Sequence, residues 1–249
     1  MKKIFSDKRY IGIFLAILIG MLFVGISLGV RNYLSGTTWF IFSSVIRIIF
    51  GIVILFLIKK IFGKSAKEIL GFSNIKLAIL SGIGFLLYFI YYLLDIALGF
   101  KGLALISIGI FVSKILLQQF TTGFYEELHY RVLILEGYNY GKKTIGRKIF
   151  YALISFIIFG LLHVITGWDT YTFLQTGTIG FSFAVIYLNS SNIIIPMILH
   201  FVYDIFANLA DYVEWNNSTL FNNVNSIFEV MIAVMFIISF TLLLKKDEE

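Results

Sequence analysis

The chain has no cysteine and one proline, Pro196, among its 249 residues. Without cysteine there can be no disulfide, no thiolate metal site and no cysteine nucleophile. With a single proline there is no Pro-rich linker to separate domains. Charge is also scarce: Asp, Glu, Lys and Arg make up 14% of the residues, where a soluble domain carries about a quarter. Hydrophobic residues predominate instead, at 59% with a mean hydropathy of +0.93. These values exclude intrinsic disorder and an ordinary water-soluble enzyme. The net charge of +6 would suit nucleic acid, but loop charge beside a membrane is the simpler test. Frequent Ile, Phe, Lys, Asn and Tyr match the residue usage of an AT-rich bacterial genome.

The apolar residues fall in blocks. About 20 helical residues cross a hydrocarbon core ~30 Å thick. Runs of that kind are Ile11–Val30, Thr38–Ile58, Leu77–Gly99, Leu103 to near Glu136, Ile149–Ile165, Tyr171–Leu188, Ile193–Leu209 and Ser226–Leu244. The expected fold is an all-α polytopic bundle of about eight transmembrane helices. The fourth run, about 34 residues or roughly 51 Å, is too long for one perpendicular crossing. It reads as a long tilted helix, kinked near Thr121–Thr122–Gly123. With the N-terminus in the cytoplasm, 15 of the 20 Lys and Arg fall in inner segments and only Arg31 and Lys101 in outer ones; Arg47, Lys114 and Arg131 lie inside spans. An odd number of spans would destroy that asymmetry. The charge is thus explained by orientation, with both termini cytoplasmic and no nucleic acid as partner. The first run is longer than a signal-peptide core and lacks a small-x-small site, so it reads as an anchor. Residues 1–249 read as one integral membrane domain. Gly25-x-x-x-Gly29 is the expected helix-packing contact, and Asp211–Asn225 the expected polar outer loop.

Charged groups inside a span are costly and need a reason, ~2.5–3.5 kcal/mol each on insertion scales. They cluster in Phe124-Tyr125-Glu126-Glu127-Leu128-His129-Tyr130-Arg131, in Phe159-Gly160-Leu161-Leu162-His163 and in His200-Phe201-Val202-Tyr203-Asp204. Glu127 and Arg131 are i,i+4 and share a helix face, which suits an ion pair. Glu126 is rotated about 100° away and is left as an unpaired carboxylate, available as a base. His200 and Asp204 also share one face. Counted from the inner helix ends, Glu126, His163, His200 and Asp204 lie at similar depth, and none can face lipid. His129 points away from the Glu127–Arg131 face and reads as incidental. Residue chemistry alone leaves a peptidase and a transporter both open.

The ordered set Glu-Glu-x-x-x-Arg, Phe-x-x-x-His and His-x-x-x-Asn/Asp, each on its own span, resembles the CPBP intramembrane proteases. This group, also called the Abi family, includes the type II CAAX prenyl endopeptidase and bacterial relatives linked to bacteriocin self-immunity. The similarity covers roughly Lys101 to Asp211 and so residues 101–211 as a protease core in the fourth to seventh helices. Glu126 to Arg131 carry the first motif, Phe159 to His163 the second, and His200 to Asp204 the third, with Asp204 where many relatives have Asn. The resemblance implies hydrolysis of a peptide bond in the membrane plane. Glu126, assisted by His163, would activate water. Glu127 and Arg131 would hold the helix and orient Glu126, and His200 with Asp204 would stabilise the oxyanion. Glu126, His163, His200 and Asp204 would also suit a divalent metal such as zinc. No His-x-x-x-His or His-Glu-x-x-His unit is present, which favours a reaction without cofactor. The expected partners are the bilayer and a membrane-associated peptide or protein substrate of bacteriocin, leader or pheromone type, in a bacterial cell membrane. A non-catalytic scaffold or immunity protein of the same fold is the main rival, and a transporter the second, although no repeated half is visible.

Overall fold

The computed structural model describes residues 7–86, 88–90, 93, 100–103, 106–210, 212–215 and 218–245. Its main helices are α1 (Ile11–Arg31), α2 (Gly36–Phe62), α3 (Ile75–Ser81, resuming after Gly82), α4 (108–133), α5 (Ile145–His163), α6 (Thr170–Ser190), α7 (Ile194–Ala210) and α8 (Ser218–Leu244). Three of these, α1, α2 and α5, are long and apolar enough to cross a membrane, and Ile194–Leu209 and Val230–Leu244 are shorter apolar helices. Most of the third apolar run beyond Ile90 lies outside the described residues.

Local chemistry sets the helix ends. Thr144 caps α5 by accepting from Arg147 N, Asp169 caps α6 through Thr172 N at 2.8 Å, and Asn192 accepts from Ile195 N at 3.0 Å ahead of α7. Such caps satisfy amide groups that the first helical turn leaves without partners. Pro196 sits in the first turn of α7, where its missing N–H costs nothing. Gly63 closes α2 at φ 76°, a conformation that glycine adopts without strain.

The long fourth element differs from expectation. It begins at Ile108 rather than Leu103, and its regular α-helical stretch is Gln119–Glu127, the region expected to kink. Wider π-type turns occur on either side, at Phe111–Gln118 and Leu128–Leu133. Such turns mark functional positions in many helices. Phe100–Leu103 is instead a strand, β1, antiparallel to β2 (Val213–Trp215), with Leu103 opposite Val213. This ribbon and the start of α8 at Ser218 replace most of the expected loop Asp211–Asn225, although Asp211, Asn216 and Asn217 lie outside the described residues.

Packing follows a lipid-facing plan. Met21, Phe56 and Ile237 are each at least 60% exposed, a distribution that water would penalise and hydrocarbon would not. α6 runs through the middle and buries Gly177–Tyr187 without a break. That stretch touches protein on all sides, so it needs less hydropathy than a lipid-facing span. The Gly25–Gly29 pair does not pack as expected among the described residues: a Cβ at either position would meet none of them within 4 Å. The buried glycines of α1 are Gly12 and Gly20.

The basic segments gather at one end of the bundle. Tyr140 donates to Phe62 O at 2.8 Å, Tyr151 to Arg9 O, and Asn192 to Ser73 O at 2.6 Å. At the same end the buried Glu136 accepts from Lys64 at 2.6 Å, Tyr187 at 2.5 Å and Asn139 at 3.1 Å. Apolar faces and lipid-exposed helices make this an integral membrane protein.

Candidate active site

α4 supplies two adjacent carboxylates. Glu127 is fully buried and pairs side-on with Arg131: Arg131 Nη2 donates to Oε1 at 3.1 Å, and Nε lies 3.1 Å from Oε2. Arg131 is fully buried too. Its guanidinium lies 4.5 Å from the Phe159 ring centre and 5.4 Å from that of Phe183, and Nη1 donates to Ser155 Oγ at 3.1 Å. Ser155 also donates towards Tyr130 O and Gly180 O, both at 3.3 Å, so one hydroxyl of α5 ties α4 to α6.

α7 reaches the same spot. His200 Nδ1 lies 2.9 Å from Glu127 Oε1. An ionised carboxylate only accepts, so this bond makes Nδ1 the protonated nitrogen and turns Nε2 the other way. Nε2 lies 3.6 Å from Asp204 Oδ2 and 3.8 Å from Glu126 Oε2. Phe183 stacks on the imidazole at 5.3 Å. Glu126 Oε2 is buried and has no hydrogen-bond partner among the described residues. Glu127 thus orients His200 as well as Arg131, a bond between helices that helical spacing did not indicate.

The close approach of α4 and α7 depends on Gly123. A Cβ there would stand 3.1 Å from Met197 O and 3.8 Å from His200 Cβ, so a branched side chain must push α7 away. Gly123→Val is therefore expected to lower the melting temperature in detergent, while Gly25→Ala, where a Cβ meets nothing, leaves it unchanged. Equal melting of the two variants would mean that this contact does not hold the helices together.

His163 stands apart from the cluster. It is the last residue of α5 and is exposed; Nδ1 donates to Phe159 O at 2.7 Å, and its ring lies 4.4 Å from that of Phe159. Phe159 in turn lies 6.1 Å from the His200 ring, so it is the aromatic link between the two histidines. Among the described residues no three His, Asp or Glu side chains converge as metal ligands. With His200 Nδ1 held by Glu127 and His163 apart, the four groups do not fit zinc as they stand. His129 is fully buried, and its Nε2 donates to Ala16 O at 2.8 Å, which fastens α4 to α1.

The helices that carry this arrangement are the part of the chain with a known counterpart. Residues 107–206 match the family model Rce1-like, described as Type II CAAX prenyl endopeptidase Rce1-like. This core is similar to that family. The match covers 100 of the 249 residues, from the start of α4 to Phe206 in α7. No curated protein and no solved structure matches the chain. The Rce1-like family is one of peptide hydrolases, and its segment contains all three motifs. Ser155 also lies in the matched segment, and the motif spacing does not point to it. A lone serine in an apolar helix was the available signal.

Proposed function

We propose that the protein is an intramembrane endopeptidase that cuts a peptide bond of a membrane-associated peptide or protein, of bacteriocin, leader or pheromone type. On this reading it sits in a bacterial cell membrane with both termini cytoplasmic. The observation that carries it is Glu126 Oε2, buried and without a hydrogen-bond partner among the described residues, beside a histidine whose reactive nitrogen is turned towards it by Glu127. The Rce1-like match over the same helices supports the same reaction class.

In the proposed reaction, Glu126 takes a proton from water as the hydroxyl oxygen adds to the scissile carbonyl carbon. The carbonyl oxygen becomes an oxyanion. His200, in its protonated form, and Asp204, in its acid form, offer it hydrogen bonds; such donors are commonly worth about 3–4 kcal/mol of barrier. The C–N bond then breaks, and the proton held by Glu126 passes to the leaving amine. Glu127 and Arg131 keep His200 and α4 in place. The reaction proceeds without a metal, in line with the absence of a His-x-x-x-His or His-Glu-x-x-His unit.

The test is cleavage of a labelled peptide library by purified protein in detergent, with and without a chelator. Cleavage that persists with the chelator is the expected result. Loss with the chelator and recovery with zinc would replace the metal-free mechanism by a metal-dependent one.

A further inference from the structure

Arg47 is a cation within the 27-residue apolar helix α2, and no step above employs it. A charge at that position in a span marks a functional site by default. Its direction follows from its neighbours on the same helix face. One turn before it, Ser43 Oγ accepts from Gln118 of α4 at 3.3 Å. One turn after it, a Cβ on Gly51 would collide with the Phe124 ring of α4. Arg47 therefore faces the stretch of α4 that leads to Glu126, and its guanidinium lies 5.3 Å from the Phe23 ring of α1.

The guanidinium is held at one corner only. Nη1 donates to Ser43 O at 3.3 Å and to Ser43 Oγ. Among the described residues the buried Nε has no hydrogen-bond partner, and Nη2 donates to none. Glu126 and Asp204 lie close enough to act on Arg47 electrostatically, yet among the described residues neither forms an ion pair with it. Nε–H and Nη2–H lie parallel, and together they form the edge that grips both oxygens of a carboxylate. Ser43 fixes that edge in advance, which lowers the cost of binding.

We propose that Arg47 binds a carboxylate of the peptide substrate through its Nε–Nη2 edge and thereby selects which peptides are cut. This rests on the peptidase reading above. The carboxylate is either the substrate's C-terminus or an Asp or Glu side chain, the two sources of the same chemistry.

Four labelled peptide pools separate them. Two differ only in a C-terminal carboxylate or carboxamide, and two only in internal Asp/Glu or Asn/Gln. The full-length protein is expected to prefer one acidic pool over its neutral twin by about tenfold or more in kcat/KM, the scale of one charge-assisted bidentate contact. Arg47→Gln should bring that ratio to within about twofold of one, and Arg47→Lys should retain part of it, because a point charge lacks the fork. A merely structural role would lower both pools together and leave the ratio unchanged. If Arg47→Gln does not fold, Ser43→Ala, which releases Nη1, should weaken the ratio about threefold. The same pools are measured for binding to Glu126→Gln. Acid-selective binding that depends on Arg47, without cleavage by the wild type, keeps the carboxylate site and overturns the peptidase reading. Equal treatment of acidic and neutral pools in cleavage and binding overturns the proposal, as does an acid preference that survives Arg47→Gln.

Discussion

Glu126→Gln is expected to reduce kcat/KM for any cleaved peptide by about 10²–10⁴-fold, the usual contribution of a positioned general base. The amide has the size of the carboxylate but cannot take the proton from water. Glu126→Ala should fall equally far. Neither change should lower the melting temperature in detergent, because among the described residues Glu126 Oε2 has no hydrogen-bond partner to lose and a buried, unpartnered carboxylate oxygen is itself a cost. Product formation followed by mass spectrometry, beside a melting curve, reads both quantities. Wild-type turnover by Glu126→Gln would remove Glu126 from the role of base.

Glu127→Ala should behave in the opposite way, with its largest effect on stability. Glu127 is fully buried, Arg131 beside it is fully buried, and His200 is 4% exposed. Removing the carboxylate leaves Arg131 charged and unpaired among Phe159, Phe183 and Ser155. Breaking one side of a buried pair costs about 3–5 kcal/mol. Adding Arg131→Met should recover most of that loss, since an apolar replacement of both partners is often neutral. Activity should not recover with stability, because His200 Nδ1 still lacks the acceptor that orients it. Thermal unfolding in detergent of the two single variants and the double variant gives the coupling directly. If Glu127→Ala melts with the wild type, the pair does not support the fold.

The interactions that run along one helix were legible in the chain. Glu127 with Arg131 and His200 with Asp204 are four residues apart, and helix geometry alone puts each pair on one face. The contacts between helices were not. That Glu127 bonds His200 depends on how far α7 is rotated about its axis and how closely it approaches, which the bare Gly123 surface and the Phe183 ring decide. The position of His163 depended on where α5 stops. The apolar run continues to Ile165, yet the helix ends at His163, ahead of a turn through Gly167. Arg47 was noticed only as a charge inside a span, since its one local partner is Ser43.

By itself, the sequence determined that the chain is an integral membrane protein, and which polar residues share one helix face. Composition and apolar run length respond to the solvent, and motif spacing responds to a single helix, so both can be read in one dimension. Tertiary structure alone decided which carboxylate clamps His200, which histidine stays outside the cluster, and which glycines face protein rather than lipid. Those outcomes depend on helix rotation and on contact shapes at van der Waals range. They arise only when several helices pack at once.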